Sequence, residues 1–331
     1  MAELRFVDVG PDDEKDLRRW FELVTAVHDA DRTGDPLPGF ATWAGQLRHP
    51  SPGSEPHLVL AEADGEVIGW FAQWLSTREN TDVSPGEVEV HPAHRRHGHG
   101  RAMVDEWTRR ATALGRTRQV AEGMQGTGGG FAAALGFRAV LSDTQRRLDL
   151  RTVDQSMLDG LLTDARSHAG GYSLVQWTGM TPERYLPGMA ALESRMTTDA
   201  PMDDLAWEQE VYDADRLREK EQVLEAWGAR RYSTVAVHDA SGDVAGSTTV
   251  GLHADADEGA FQWQTIVSPE HRGHRLGLLL KLENLAFLRA HEPAVQTVDT
   301  WNADSNGPML RVNLAMGFEV VRQWAEYERA I

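Results

Sequence analysis

The sequence contains no cysteine. Disulfides, cysteine-ligated metals and thiol nucleophiles are therefore excluded, and a cytoplasmic protein is expected. No apolar run approaches the ~18 residues needed to span a bilayer. The opening stretch, MAELRFVDVGPDDEKD, is acidic and lacks the apolar core of a secretory signal, so it reads as a first strand followed by a helix start. Lysine is nearly missing, occurring only at Lys15, Lys220 and Lys281; most of the basic residues are arginine. The net charge of −18 argues against general binding to nucleic acid or anionic lipid. It aids solubility and suits a cationic small-molecule partner such as an amine. What the chain does have is length: 331 residues, 41% of them hydrophobic, which is more than one core usually serves.

Self-similarity organises that length. Ala63-Asp-Gly-Glu-Val-Ile-Gly69 and Val90-His-Pro-Ala-His-Arg95 recur as Ala240-Ser-Gly-Asp-Val-Ala-Gly246 and Val267-Ser-Pro-Glu-His-Arg272. Gly65, Gly69, Pro92, His94, Arg95 and Gly100 each find the same residue type 177 positions later. Leu135-Gly136-Phe137 recurs as Met316-Gly317-Phe318 at an offset of 181. So long a period indicates duplicated domains rather than a solenoid. The expected division is residues 1–150 and 172–331, joined by a linker over 151–171 with a helix in it. The linker helix carries Val153, Met157, Leu161 and Leu162 on one face and stops at Gly170-Gly171.

Each copy reads as a mixed α/β domain. A first strand (Leu4–Val7, Ser173–Trp177) is followed by helix and then a hairpin. The hairpin strands are His57–Ala63 and Val67–Leu75 in copy one, Ser233–His238 and Val244–Leu252 in copy two. They turn at Asp64-Gly65 and Ser241-Gly242, where a short polar residue before Gly is hairpin chemistry. A further strand (Gly86–Val90, Phe261–Val267) feeds a loop and a long helix (Arg101–Leu114, Leu276–Ala290).

Those loops, Arg95-Arg96-His97-Gly98-His99-Gly100 and Arg272-Gly273-His274-Arg275-Leu276-Gly277, join a strand to a helix N-terminus. Such a junction offers unpaired backbone N–H groups and the positive end of a helix dipole. Glycine lets the backbone close on an anion, and a flanking Arg can add charge-assisted bonds. A phosphate or pyrophosphate is the natural ligand. A P-loop is excluded because it needs a Lys after its second Gly. The dinucleotide fingerprint fails because Met103 stands where its third Gly belongs and the loop follows a late strand.

The loop in this context resembles the GNAT superfamily of acetyltransferases, whose signature is Arg/Gln-x-x-Gly-x-Gly/Ala after a strand, with a later Asn and an aliphatic-Gly-Phe helix end. Copy one matches at Arg95, Gly98, Gly100 and Leu135-Gly136-Phe137. Copy two matches at Arg272, Gly277, Asn306 and Met316-Gly317-Phe318, with Arg275 in place of the middle glycine. Because both halves carry the motif in register, the resemblance covers nearly the whole chain, and the double arrangement is similar to the mycothiol synthase group of tandem acetyltransferases. The fold implied is two tandem domains, each a mixed β-sheet flanked by helices. The activity implied is acetyl-CoA-dependent N-acetylation of a small-molecule amine by a monomer or homodimer. A non-catalytic acyl-CoA-binding protein and a protein or peptide N-acetyltransferase are the alternatives.

By this resemblance acetyl-CoA contacts Thr265, Ile266, Val267, the loop 272–277 and Asn306 in copy two, and Val90, loop residues 95–100 and Arg101 in copy one. The amine enters from the other side of a splayed strand. A free amine of pKa about 10.4 needs its proton removed at neutral pH. The family's usual Tyr, four residues before Gly-Phe, is replaced by Ala132 and by Asn313, which could bond the sulfur or an ordered water. Copy two lacks the usual acid on its strand, Phe261-Gln-Trp-Gln264, whereas copy one has Glu87 and Glu89. Copy two is nonetheless expected to be catalytic, with Glu258, His253, Tyr327 and Asn313 as candidate groups and the acidic loop Met196–Asp204 as acceptor site. His91, His94, His97 and His99 are interleaved with arginines in a loop already accounted for, so no metal is expected.

Overall fold

The computed structural model describes residues 4–199 and 201–331. Among the described residues twelve strands and ten α-helices follow in chain order. They are β1 (Arg5–Val9), α1 (Glu14–Asp31), α2 (Phe40–Arg48), β2 (Ser54–Ala63), β3 (Glu66–Ser76), β4 (Val83–Val90), α3 (His99–Ala113), β5 (Arg118–Met124), α4 (Thr127–Ala134), β6 (Arg138–Asp149) and α5 (Gln155–His168). Then come β7 (Tyr172–Thr178), α6 (Leu186–Ser194), α7 (Met196–Asp199), α8 (Ala214–Ala226), β8 (Arg230–His238), β9 (Val244–Leu252), β10 (Gly259–Val267), α9 (Leu276–His291), β11 (Thr297–Ala303), α10 (Gly307–Met316) and β12 (Glu319–Ala330).

The chain forms two compact units, one comprising residues up to Leu141 together with Trp324–Ile331, the other Ser142–Gln323. This division does not follow the expected 1–150, 151–171 and 172–331. Residues 144–149, inside the expected first domain, lie in β6, which pairs with β11 from Asp143↔Ala303 to Asp149↔Thr297. The last strand of the chain pairs with β5 of the first unit, from Trp324↔Met124 to Ala330↔Arg118. Each unit thus borrows its final strand from the other half of the sequence. The first unit orders its strands β1-β2-β3-β4-β5-β12 and the second β7-β8-β9-β10-β11-β6, the same topology twice. The expected linker helix is α5, which packs in the second unit's core through Leu158 and Ala165.

In unit 1 the alternation of β2 and β3 supplies both faces of the sheet. Leu58, Leu60 and Trp70 turn to α1, which buries Leu17, Trp20, Val24 and Val27 at helical spacing. Val59, Ala61 and Phe71 turn to α3, meeting Met103, Val104 and Trp107, with Phe137 and Tyr327 completing that layer. Unit 2 repeats the plan. Trp177, Leu186, Met189 and Val235 fill one face, and Leu279, Leu280, Leu288, Met316 and Phe318 the other. The hairpin turn at Asp64-Gly65 has both residues at positive φ, 51° and 85°, the type I′ geometry that suits right-twisted strands. Among the described residues no helix is long and apolar enough to cross a membrane.

Candidate functional site

Both sheets fork at the same place. In unit 1, β4 and β5 run parallel only through Val83–Pro85 opposite Arg118–Val120. Beyond Pro85, β4 stays paired with β3, from Gly86↔Gln73 to Val90↔Gly69, and has left β5. Gly86 stands at the vertex. A β-carbon there would come within 2.5 Å of the Trp107 ring and 2.6 Å of the Ala72 carbonyl oxygen. In unit 2, β10 pairs with β11 only through Gly259–Phe261. Gln262–Val267 then diverge while β9 holds their other edge, with a bulge between Gln262 and Gln264. Backbone N–H and C=O groups on the open side of each fork are free of strand partners and can bond an extended ligand.

Each fork opens toward one of the two loops. The loops share two left-handed positions, and the residues at them are exchanged. In unit 1 these are Arg96 (φ 67°) and Gly98 (φ 87°); in unit 2, Gly273 (φ 90°) and Arg275 (φ 54°). The missing middle glycine of the second loop is therefore matched by a glycine two residues earlier, and both loops keep one shape. Neither α3 nor α9 has a side-chain cap at its N-terminus, so first-turn N–H groups remain for an anion. The side chains of Arg95 and Arg272 serve the loop itself. Arg95 Nε donates to the Val90 carbonyl at 3.1 Å and its other nitrogens clasp Asp31 at 2.7 and 2.8 Å. Arg272 Nε donates to the Val267 carbonyl at 3.2 Å and Nη2 to Asp199 at 2.9 Å. Arg275 is ion-paired to Asp164, Arg101 donates to the Ala134 carbonyl, and Asn306 caps α10 through the Met309 N–H. In this structure the side chains of these arginines and Asn306, expected to meet the cofactor, make contacts that hold elements together.

Leu276 is buried at the start of α9, and Thr265 shares a 2.7 Å hydrogen bond with Thr248. Ile266, Val267 and Val90 lie on the diverging strand segments themselves. The first-turn glycines differ in surroundings. A β-carbon on Gly277 would meet nothing nearer than Val267 at 4.0 Å, whereas one on Gly100 would touch Phe131 at 2.9 Å. His97 and His99 line, with His94, Asp64 and Glu66, a cavity of about 330 Å³ beside the loop of unit 1. Among the described residues no group of three His, Asp or Glu side chains gathers as metal ligands would.

Unit 1 carries the titratable groups. Val88 and Val90 face the α3 layer, so Glu87 and Glu89 face α1, just past the vertex. Glu89 accepts from Trp70 Nε1 at 3.0 Å and lies 3.5 Å from Arg32. Burial and the adjacent Glu89 push the Glu87 carboxyl up to about 8; Glu122 adds to the rise and Arg32 partly offsets it. Glu89 is raised as well, first by burial. On the opposite face stands Tyr327, opposite Ala121 of β5. Its ring is buried and its hydroxyl lies over α4, where a β-carbon on Gly129 would come within 2.8 Å of it. The glycine run of α4 thus makes room for a phenol. Burial also raises Tyr327 above its usual value, so it is protonated at neutral pH.

Unit 2 has no carboxylate in the equivalent place. Gln262 Nε2 is bonded to Thr248 Oγ1 and the Thr249 carbonyl, at 3.0 and 2.8 Å. Trp263 is 36% exposed and lies over Gly251. Glu258 and His253 sit at the closed end of the fork. The Glu258 carbonyl accepts from Gln296 and Thr297, and His253 packs against Phe261. At about 3.3 Å per residue, Glu258 is some ~23 Å along the strand from Thr265. Asn313 is fully buried, its carbonyl accepting from Lys281 at 2.6 Å and its NH2 donating to Asn302 at 2.5 Å, so both ends of its amide are already engaged within unit 2. Asp199 in the expected acceptor loop is bound by Arg195 and Arg272, and Ala200 of that loop lies outside the described residues. The structure thus brings Glu87, Glu89 and Tyr327 to one fork, leaves Glu258 and His253 at the closed end of the other, and ties Asn313 to that fork's wall through Asn302. The alternation Glu87-Val88-Glu89-Val90 was the sequence signal for the carboxylate pair; Lys281 gave none.

A sheet forked beside an uncapped helix N-terminus, found twice in one chain, defines a tandem acyl-CoA-type transferase. Residues 17–137 match the model of the acetyltransferase (GNAT) family. A solved tandem GNAT protein from the clavulanic acid biosynthesis pathway is 31% identical, with a TM-score of 0.83, covering 99% of this chain and 98% of that one. The chain belongs to the GNAT acetyltransferase family. It is also similar to mycothiol acetyltransferases from Stackebrandtia nassauensis (27% identical, 82% of each chain) and Thermobifida fusca (28% identical, 93% of this chain and 92% of that one). A GCN5-related N-acetyltransferase from Sphaerobacter thermophilus shares the fold at 16% identity and a TM-score of 0.65.

Proposed function

We propose that the protein transfers the acetyl group of acetyl-CoA to the amine of a small molecule, and that the chemistry takes place at the fork of unit 1. The observation that carries this reading is the Glu87–Glu89 pair at the vertex, with Glu87 pushed up to about 8. A carboxyl tuned to that range can take the proton of an entering ammonium near neutral pH. Glu87 faces α1 and Tyr327 faces α4, so base and acid stand on opposite faces of one fork. With that proton on Glu87, the neutral amine nitrogen bonds to the thioester carbon as the carbon–sulfur bond breaks, and the second amine proton restores the one Tyr327 gives up. Tyr327, whose hydroxyl makes no hydrogen bond among the described residues, gives a proton to the departing thiolate. Free N–H groups on β4 are available to the carbonyl oxygen as negative charge develops on it. Similarity to mycothiol acetyltransferases supports a small amine as acceptor. The family match over 17–137 supports the assignment to unit 1.

Unit 2, with a neutral polar wall on its fork, is assigned the role of holding acyl-CoA without supplying a base. Cysteine-free composition and the absence of a membrane-crossing helix among the described residues support a cytoplasmic enzyme. Thiol release from acetyl-CoA, screened over small amines and peptides, tests the activity. The unaltered protein is expected to show kcat/KM rising with pH through an apparent value near 8, and Glu87→Gln to lose both the rise and most of the rate. A flat pH profile unchanged by Glu87→Gln would remove unit 1 from the chemistry.

A further inference from the structure

Lys281 is one of three lysines in the chain and is 2% exposed in the core of unit 2. The equivalent position in unit 1, 177 residues earlier, is the buried Val104, so packing at this site does not require an amine. Burial alone pulls Lys281 down to about 7, and its contacts are Asn313 Oδ1 at 2.6 Å and the Phe318 ring at 4.7 Å. Keeping an ionisable group there is unfavourable unless it does something that an aliphatic side chain cannot.

What it does is fix the direction of a hydrogen-bond chain. An amide taken alone can turn over and exchange its donor and acceptor ends. An ammonium can only donate, and a neutral amine still donates. Lys281 therefore claims the Asn313 oxygen and forces the Asn313 NH2 the other way, where it donates to Asn302 Oδ1 at 2.5 Å. With its oxygen occupied, Asn302 must present its own NH2 outward. Asn302 lies on β11 three residues past Asp299, the last residue to pair with β10, and so on the wall of the fork. It is half-buried and its NH2 makes no hydrogen bond among the described residues.

We infer that Lys281, Asn313 and Asn302 form a polarised chain whose outer end, the Asn302 amide N–H, binds the carbonyl oxygen of an acyl thioester lodged in the fork of unit 2. Asn302 is the binding residue; Asn313 and Lys281 are positioning residues. The chain gives unit 2 a preference for acyl-CoA over free CoA, which lacks the thioester carbonyl. This rests on the reading of the fork as an acyl-CoA site.

Calorimetric titration of the full chain with acetyl-CoA and, separately, CoA tests it. Asn302→Ala should weaken one class of acetyl-CoA sites about tenfold, the worth of one hydrogen bond to a carbonyl, and leave CoA within about twofold. Lys281→Met should shift the same ratio in the same direction. Lys281→Gln, whose amide still donates to Asn313, should restore it. A merely structural role would weaken both ligands together. Equal loss for both, or unchanged acetyl-CoA affinity in Asn302→Ala, overturns the inference. Should Lys281→Met fail to fold, Asn302→Ala at its half-buried site decides the matter. Binding of neither ligand by the unaltered protein overturns the acyl-CoA reading and this inference with it.

Discussion

Replacing Glu87 with Gln should make the protein more stable in alkaline solution while removing its activity. The folded state holds the Glu87 carboxyl at about 8 against an ordinary 4.5. Between those values folded molecules bind a proton that unfolded ones have released, so stability falls as pH rises from 4.5 through 8. At roughly 1.4 kcal/mol per unit, the displacement sets a ceiling near ~4–5 kcal/mol once pH exceeds 8. Glu89 is raised too, so the two carboxyls titrate as a pair and the part recoverable at one of them is about half, ~2–3 kcal/mol. Gln keeps the shape and is neutral at every pH. The two chains should therefore be nearly equally stable at pH 5 and should diverge above pH 7, with Glu87→Gln the more stable. With two units a single unfolding transition is not guaranteed, so the suitable assay is hydrogen exchange of the β3 and β4 amides across a pH series. Equal destabilisation by Glu87→Gln at pH 5 and pH 9 would refute the claim that burial of a charge sets this carboxyl.

Other expectations follow from single contacts. Tyr327→Phe should lower kcat about tenfold or more with KM for the amine unchanged and little loss of stability, since the hydroxyl makes no hydrogen bond among the described residues; an unaltered kcat would dismiss Tyr327 as the acid. Asp31→Asn should loosen the clasp on Arg95 and weaken acetyl-CoA binding a few-fold without touching the core, as read by titration. Gly86→Ala, whose new β-carbon would press on Trp107 and on the Ala72 carbonyl, should cost unit 1 about 2–4 kcal/mol, read by hydrogen exchange of the β3 and β4 amides; a cost below about 0.5 kcal/mol would mean the vertex is not tightly packed.

The two matching loops were legible because they are local: a strand, a tight turn and a helix start, each with its own residue signature. The hairpin turn at Asp64-Gly65 and the helix over Gln155–His168 were legible for the same reason. The exchange of final strands was not, because pairing between residues about 150 apart (β6 with β11) or about 200 apart (β12 with β5) leaves no mark on either strand's own pattern. It is why Tyr327, read as part of copy two, stands in unit 1 opposite Ala121. Arg95 and Arg272 carried the right charge for a phosphate, but their partners Asp31 and Asp199 lie on distant elements. Asn313 sits at the position where the resemblance called for a group at the sulfur. Only three-dimensional packing shows Lys281 and Asn302 consuming it. Glu87 and Glu89 were visible as carboxylates in copy one, yet what tunes them, burial beside Trp70 and Arg32, comes from β3 and the end of α1.

The central claim, that unit 1 performs the transfer, is tested most directly by turnover in two chains, Gly100→Glu and Gly277→Glu, each first confirmed to be folded. A carboxylate at either position opposes phosphate binding at that helix N-terminus. Loss of acetyl-CoA-dependent thiol release with the Gly100 change, and retention of most of it with the Gly277 change, is the predicted result. Loss with the Gly277 change alone would contradict the account and place the chemistry in unit 2.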